Sequence, residues 1–260
     1  MTQDAASPVV SFDGLVSLER RGEVAILTLT RPGKLNAISS KMEGALQESL
    51  SHPDLVASRC VVVSGGPRVF SAGADVNEMR AVDADAVFCY YRRTGSVYEA
   101  VADLSQPSIS AISGYCLGGG LELALATDFR VVDETAVLGL PELDIGIVPS
   151  SGGIYRLVRS CGVAVAREVV LLRRRLTASE ALTAGLVTEV VPAGTGLERA
   201  VELACSLSER PALAMSLAKR AIDAAAESSR AGALLIEQLS YAALVQGAES
   251  QRRIGSFGER

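Results

Sequence analysis

The sequence is poor in histidine, the residue on which many hydrolases depend. It contains one histidine, His52, and no tryptophan. His52 stands in a turn-like stretch before a proline, where a solvated loop residue is the ordinary interpretation. A Ser-His-Asp or Cys-His mechanism would depend on that single residue, and no Gly-x-Ser-x-Gly motif exists for it to serve. Acid–base chemistry in this chain would therefore fall on carboxylates.

Cysteines are few and widely spaced along the chain. Five occur, and no two of them form a Cys-x-x-Cys pair. This spacing argues against a zinc site and indicates a reduced, intracellular protein. The glycine motifs of P-loop and dinucleotide-binding folds are also missing, so neither of those nucleotide-binding classes gains support.

An excess of basic residues and a long apolar run are missing as well. The net charge is −5 and the isoelectric point is about 5.1, which argues against a nucleic-acid partner. No apolar run approaches the roughly 20 residues that span a bilayer, and the first residues lack the pattern of a secretory signal. These features predict a soluble, cytoplasmic protein without a membrane partner.

Strand and helix patterns alternate through most of the chain, which predicts an α/β fold. Two apolar runs within residues 15–29 form a hairpin pattern, and residues 39–50 have helical spacing with Ser39 or Ser40 as the cap. Further strands are predicted at 60–63, 108–112 and 129–132, and helices at about 76–104 and 121–127.

The last part of the chain differs from the rest because it is rich in alanine and reads as successive helices. We predict helices over residues 196–209, 211–226 and 231–246. This change divides the chain into an α/β core, residues 1–195, and a C-terminal helical subdomain, residues 196–260.

Two glycine-containing segments expose backbone amides. Gly118, Gly119 and Gly120 precede a short apolar helix, whose first amides lack intrahelical partners and carry partial positive charge. Residues 71–75 form a second loop of small side chains. Oxyanion holes commonly take one amide from each of two segments. Taken alone, a tight turn and a plain loop are the more ordinary explanations of these segments, and the pattern leaves the oxyanion hole open as the alternative.

Two glutamates are candidates for acid–base work. Glu122 lies in the helix that follows the three glycines, and Glu142 follows Pro141 in a loop after a strand. Two carboxylates beside one water molecule can divide the acidic and basic roles if their environments separate their pKa values. Helix capping or exposure to solvent is the alternative, and the spacing of the two residues does not decide between them.

The order of these motifs resembles the enoyl-CoA hydratase/isomerase, or crotonase, family. Residues 111–158 resemble the core signature of that family. Upstream, residues 29–38 and 70–75 resemble its two cofactor-contacting loops, and residues 176–187 resemble its closing motif. The resemblance covers residues 12–260 and most closely matches the hydratases.

The resemblance implies a role for each matched residue. Ala72 and Gly119 match the positions whose backbone amides hold the thioester oxygen, and Glu122 and Glu142 match the two glutamates that hold the attacking water. Related isomerases generally keep only the second glutamate. The remaining implied contacts with substrate and coenzyme A are Ala37, Gly73, Ala74, Asp75 and Gly118.

The resemblance further implies addition of water to a 2-enoyl-CoA, giving a 3-hydroxyacyl-CoA, without a metal or other cofactor because coenzyme A is part of the substrate. It implies a fold of stacked ββα turns with a C-terminal helical trimerisation region, assembled as a homotrimer or a dimer of trimers. Alternatives are enoyl-CoA isomerisation, a specialised dehydration or carbon–carbon cleavage on the same scaffold, or a non-catalytic acyl-CoA binder.

The chain departs from the hydratase pattern after the second glutamate. Ser150 stands where the family usually has glycine, and Tyr155 stands where it has glutamine. A changed acyl substrate would be one consequence. Four residues of the variable segment, namely Met79, Val82, Phe88 and Tyr91, are candidates to line the acyl pocket, although core packing is the more ordinary explanation for each.

Overall fold

A computed structural model describes residues 8–78, 85 and 97–257 of the chain. The four candidate pocket residues of the variable segment, and most of the helix predicted at 76–104, lie outside these residues. The described chain confirms the α/β class, since ten strands alternate with helices before a run of helices ends the fold.

The strands are short, and after residue 195 the described chain forms helices without further strands. The strands are β1 (Val10–Phe12), β2 (Val16–Arg21), β3 (Val24–Leu29), β4 (Cys60–Ser64), β5 (Ser108–Ile112), β6 (Tyr115–Leu117), β7 (Phe129–Asp133), β8 (Val137–Gly139), β9 (Leu176–Thr177) and β10 (Glu189–Val191). The helices are α1 (Ser40–Leu50), α2 (Pro53–Val56), α3 (Val97–Ala102), α4 (Gly119–Ala126), α5 (Gly153–Leu171), α6 (Ala178–Thr183), α7 (Gly196–Ser208), α8 (Ala212–Glu227), α9 (Arg230–Val245) and α10 (Ala248–Phe257).

A seven-stranded sheet forms the centre of the fold, in the order β1-β2-β3-β4-β5-β7-β10. The first three strands pair antiparallel, as the hairpin pattern predicted, and the others pair parallel. All five residues of β4 are buried because parallel strands are covered on both faces. Val61 and Val63 join the core beside α1, whereas Val62 faces Ala200 and Ala204 of α7.

All three predicted C-terminal helices are confirmed to within two residues at each end, and α10 extends the run beyond the prediction. Helix α7 packs against the sheet, while α8 and α9 pack mainly against each other. An ion pair of 3.0 Å between Lys219 Nζ and Asp128 Oδ2 attaches α8 to the core. The division at residue 195 remains a prediction.

Local sequence explains where the first helices begin. Ser39 caps α1, and its hydroxyl accepts the Met42 amide at 3.3 Å. His52 caps α2, where Nδ1 accepts the Asp54 amide at 3.2 Å and the ring meets Phe12 edge-on. His52 is therefore not simply a solvated loop residue, because the imidazole is half-buried and caps the start of α2. Among the described residues, no helix is both long and apolar enough for a membrane span.

Candidate active site

Three parallel segments end at one edge of a second, smaller sheet. Strand β6 pairs parallel with β8, which places Leu117 beside Gly139. On the other side of β6, Ser71 forms a parallel bridge with Cys116. The loop at 72–75, the start of α4 and the Glu142 loop each follow one of these parallel segments, so all three lie together at the same edge of the small sheet.

Gly118 makes the contact between α4 and the Glu142 loop possible. Its φ and ψ are 51° and −128°, a conformation that residues with a Cβ atom rarely adopt. A Cβ atom built on Gly118 would lie 2.9 Å from Glu142 Oε1. The Gly118 amide donates to the Gly139 carbonyl at 2.9 Å. Because Gly118 has no Cβ atom, the Glu142 carboxyl group can lie directly beside its backbone.

Gly118→Ala is expected to destabilise the protein by about 1–3 kcal/mol because the backbone conformation becomes strained and the methyl group displaces the Glu142 carboxyl group. Urea-induced unfolding measures the change. Gly44→Ala is the matched control, since nothing lies within 4 Å of a Cβ atom there and the site is an exposed helix position. We expect that control to stabilise α1 by about 0.5–1 kcal/mol. Equal stability of the two variants would contradict the prediction.

The loop at 72–75 offers one free amide, and it is not the predicted one. The Ala72 amide donates to the Leu35 carbonyl at 2.9 Å. The Gly73 amide donates to Ser71 Oγ at 3.1 Å, and the Asp75 amide to the Ile38 carbonyl at 2.8 Å. Within the described chain only the Ala74 amide of this loop has no acceptor. The assignment of Ala72 as an oxyanion donor is therefore wrong, because its hydrogen already has a partner.

The Gly119 amide is the matching donor on the other segment. Gly119 is the first residue of α4, so its amide has no intrahelical acceptor, and none is found elsewhere in residues 8–78 and 97–257. A Cβ atom on Gly119 would lie 3.4 Å from the Ala74 nitrogen, and one on Gly73 would lie 3.4 Å from the Gly119 nitrogen. Two free amides from two segments thus lie side by side.

Glu122 lies one turn further along α4 and is buried, with 4% exposure. Its Oε1 accepts the Ser151 amide at 2.7 Å and the Gly153 amide at 3.0 Å. Burial raises the pKa of Glu122, and these amides, together with that of Ser150 and the charge of Arg156, oppose the rise. A Cβ atom on Gly153 would lie 2.8 Å from Glu122 Cγ, so the start of α5 closes directly over this carboxylate.

Glu142 begins a short turn of 3-10 helix after β8. Its Oε2 is buried and has no hydrogen-bond partner among the described residues. Burial raises the pKa of Glu142 to about 7, and the charge of Glu122 contributes to the rise. An unpaired buried carboxyl oxygen is costly, which indicates that another polar group, such as a water molecule or a substrate atom, completes this site.

The two glutamates therefore share a site but differ in their partners. Glu122 accepts backbone hydrogen bonds that favour its charged form, whereas Glu142 has an orphaned oxygen that favours its protonated form. Such a difference in environment can separate the pKa values of two carboxyl groups, so that one can remove a proton and the other can donate one. The alternative of two capping or solvent-exposed carboxylates does not fit Glu122, which is buried and accepts from a separate loop.

The residues implied as coenzyme A contacts lie around the free amides. Gly73, with φ of 103°, and Ala74 form the loop itself. Asp75 is engaged by Arg31, whose Nη1 lies 2.8 Å from Asp75 Oδ2, and this hydrogen bond lowers the pKa of Asp75. The same Nη1 donates to the Ala37 carbonyl at 3.1 Å. The Asp75 carboxylate thus joins the two loops, and its contact with a substrate remains a prediction.

Two further residues at the site did not emerge from the sequence. Arg156 donates to the Ser151 carbonyl at 2.9 Å and to Glu99 Oε1 at 2.7 Å, which fixes the loop that holds Glu122. Tyr98 is buried in α3, and its hydroxyl lies 3.2 Å from the position of a Cβ atom on Gly119. Arg156 stands inside the matched signature and could have been found there, whereas no motif marks Tyr98.

The two departures from the hydratase pattern have different consequences. Ser150 approaches Glu122 through its backbone amide, which any residue type supplies. Tyr155 is half exposed, and its hydroxyl contacts Glu227 of α8 and accepts from Arg159 Nη1 at 2.7 Å. Tyr155 therefore ties α5 to the C-terminal helices instead of contacting the glutamate pair.

Comparison with known families agrees with this geometry. Residues 19–260 match the model of the enoyl-CoA hydratase/isomerase family. The chain is 38% identical to a probable mitochondrial enoyl-CoA hydratase 2 of Arabidopsis thaliana over 236 residues, covering 90% of this chain and 78% of that protein. It is 36% identical to the 2,3-dehydroadipyl-CoA hydratase of Escherichia coli over 242 residues, covering 92% and 94% of the two chains.

Solved structures show the same fold. The enoyl-CoA hydratase of Bacillus anthracis superposes with a TM-score of 0.86 at 33% identity, covering 94% of this chain and 96% of that one. The expected crotonase-like fold with a C-terminal helical region is therefore confirmed.

Proposed function

The chain belongs to the enoyl-CoA hydratase/isomerase family, and from this premise we propose that it is an enoyl-CoA hydratase. The reaction adds water across the 2,3-double bond of a 2-enoyl-CoA thioester and yields a 3-hydroxyacyl-CoA. One observation carries the proposal. Two glutamates, Glu122 and Glu142, lie at one site with opposite hydrogen-bond environments, beside a pair of free backbone amides.

The free amides of Ala74 and Gly119 are proposed to bind the thioester oxygen. As water adds at C3, electrons move onto that oxygen, and the two N–H groups stabilise the resulting enolate charge. The start of α4 adds the partial positive charge of a helix N-terminus. A donor of this kind typically contributes about 3 kcal/mol to transition-state stabilisation.

The glutamates are proposed to take opposite proton-transfer roles. Glu122, charged and held by backbone amides, removes a proton from water, and the water oxygen bonds to C3. Glu142, protonated because burial raises its pKa to about 7, delivers a proton to C2 of the enolate. Water enters as one proton and one hydroxyl group, and solvent exchange then restores both carboxyl groups.

This chemistry is proposed to need no metal or redox cofactor, because the thioester and the two amides supply the activation. Coenzyme A takes part only as a portion of the substrate. The homotrimeric or hexameric assembly and the cytoplasmic location remain predictions that the described chain does not test.

The test is a turnover assay with a panel of 2-enoyl-CoA thioesters whose acyl groups are short, long, branched or aromatic. We expect loss of the conjugated thioester absorbance and formation of a 3-hydroxyacyl-CoA, identified by mass spectrometry, for at least one member of the panel. A 3-enoyl-CoA product would indicate an isomerase. Ligand-induced thermal stabilisation without any product would indicate a non-catalytic binder, and either result would overturn the proposal.

A further inference from the structure

The direction of the Ala74 amide depends on a neighbouring chain segment. Ile38 pairs parallel with Ala74, and the Ile38 amide donates to the Gly73 carbonyl at 2.8 Å. The Gly73 carbonyl and the Ala74 N–H belong to one planar trans peptide, so they point in opposite directions. A hydrogen bond that holds the carbonyl towards Ile38 therefore turns the N–H away from it, to the side where Gly119 lies.

Asn36 fixes the segment that makes this hydrogen bond. Its side chain is fully buried, and Nδ2 lies 2.8 Å, 3.0 Å and 3.1 Å from the carbonyl oxygens of Gly65, Val69 and Phe70. Its Oδ1 accepts the Arg31 amide at 2.9 Å. One amide side chain thus joins the loop after β3 to the loop after β4, immediately before the oxyanion segment.

The Ser71 side chain connects the backbone of Asn36 to the backbone of Gly73. The Ser71 hydroxyl donates to the Asn36 carbonyl at 2.8 Å and accepts the Gly73 amide at 3.1 Å. The peptide that carries the Ala74 amide is therefore held on both sides, by Ile38 at its carbonyl and by Ser71 one amide earlier.

The chemistry of asparagine suits this position. The backbone of Asn36 has φ of 50°, a conformation that asparagine tolerates better than most residues because its short side chain bonds locally. Its Nδ2 group faces only carbonyl oxygens, so an aspartate there would place charge against three acceptors. The arrangement uses both ends of the amide, which is the condition for burying it without a large penalty.

We infer that Asn36 is a positioning residue for the reaction: through Ser71 and the Gly73–Ala74 peptide it aims the Ala74 N–H at the thioester oxygen. This inference rests on the proposed function. It predicts that loss of the Asn36 side chain impairs the transition state more than it impairs substrate binding, because the oxygen acquires charge only as the reaction proceeds.

The test variant is Asn36→Gly, because glycine accepts a φ of 50° and only the side-chain bonds are lost. We expect kcat for the best enoyl-CoA of the panel to fall by about 100-fold, the effect of a misplacement near 1 Å, while KM changes by less than about threefold. Ser49→Ala is the matched control, since it removes a buried hydroxyl that donates to the Leu46 carbonyl at 2.7 Å within α1, and it should leave kcat unchanged.

A second measurement reports on the amide directly and does not require turnover. The infrared stretching frequency of the thioester carbonyl in bound butyryl-CoA, isotope-labelled at that carbon, should be lowered in the unmodified protein. In Asn36→Gly it should return towards the value in water, while Ser49→Ala should match the unmodified protein. A merely structural role for Asn36 would lower stability without moving this frequency.

Ser71→Ala keeps the inference testable if Asn36→Gly does not fold, and it should shift kcat and the carbonyl frequency in the same direction. Unchanged kcat and frequency in a folded variant would overturn the inference and leave the hydratase proposal intact. If the unmodified protein binds butyryl-CoA but hydrates nothing, the proposed function fails, and the frequency still decides the role of Asn36. Failure to bind any acyl-CoA would overturn both.

Discussion

Glu142→Gln is expected to lower kcat for hydration by about 10³-fold, within the range of about 10²–10⁴ that a positioned proton donor contributes. Glutamine has the shape of the protonated carboxyl group but cannot deliver a proton to C2. Its amide still fits beside Gly118, so KM should change little. Steady-state kinetics with the best enoyl-CoA of the panel measure both constants.

The pH dependence separates this role from a structural one. In the free enzyme, kcat/KM for hydration should fall as pH rises through about 7, because Glu142 loses the proton that it must donate. Because the two glutamates interact, the apparent value belongs to the pair. The residual activity of Glu142→Gln should lack this alkaline decline. Glu48→Gln, on the exposed face of α1, is the control and should keep the profile.

Glu142→Gln should not lower the stability of the folded protein at alkaline pH. The pKa of Glu142 is raised from an ordinary value of 4.5 to about 7 in the folded protein, so folding favours the protonated form. Stability from this group is present below pH 4.5 and declines as pH rises to about 7 and above. Glutamine stays neutral, so the melting temperature at pH near 8 should equal or exceed that of the unmodified protein.

Near-normal turnover in Glu142→Gln would contradict the assignment of Glu142 as the proton donor.

Glu122→Gln is expected to lower kcat for hydration by about 10²–10³-fold, because a neutral amide cannot remove a proton from water. The variant should fold, since the glutamine carbonyl can accept the Ser151 and Gly153 amides as the carboxylate does. Saturated acyl-CoA should bind with unchanged affinity, which isothermal titration calorimetry measures.

This second variant also discriminates hydration from isomerisation. A double-bond shift that uses Glu142 alone would survive the loss of Glu122, whereas addition of water requires both carboxyl groups. We therefore expect Glu122→Gln to lose hydration whatever weak isomerisation the protein has. Full hydratase activity in the variant would refute the role of Glu122, and the Glu48→Gln control would show whether any loss is specific.

The sequence indicated the elements and the two carboxylates with good accuracy. The apolar run at 60–63, the helical spacing after Ser39 and the alanine-rich helices of the last quarter of the chain all have local causes, and the structure confirms them. Glu122 and Glu142 were identified through their place in an ordered set of motifs, and the parallel pairing of β6 with β8 explains how residues 20 positions apart in the sequence reach one site.

Other features depended on contacts between segments that are distant in sequence. The sequence could not show that the Ala72 amide has a hydrogen-bond acceptor and that the Ala74 amide has none, because a loop of small residues contains no signal for which carbonyl oxygens approach its amides. The Leu35 carbonyl accepts the Ala72 amide, and the Ile38 amide donates to the Gly73 carbonyl, which turns the Ala74 N–H away from Ile38. Tyr98 reaches the site from a helix that no motif marks.

By itself, then, the sequence determined the α/β class, the family and the glutamate pair, since these follow from local periodicity and from residue types in a fixed order. Only the tertiary structure decided which amides are free, which glutamate has an unpaired oxygen, and that burial raises the pKa of this glutamate to about 7. Hydrogen-bond direction and burial are properties of packed neighbours, and here those neighbours come from separate loops brought to one edge of a small sheet.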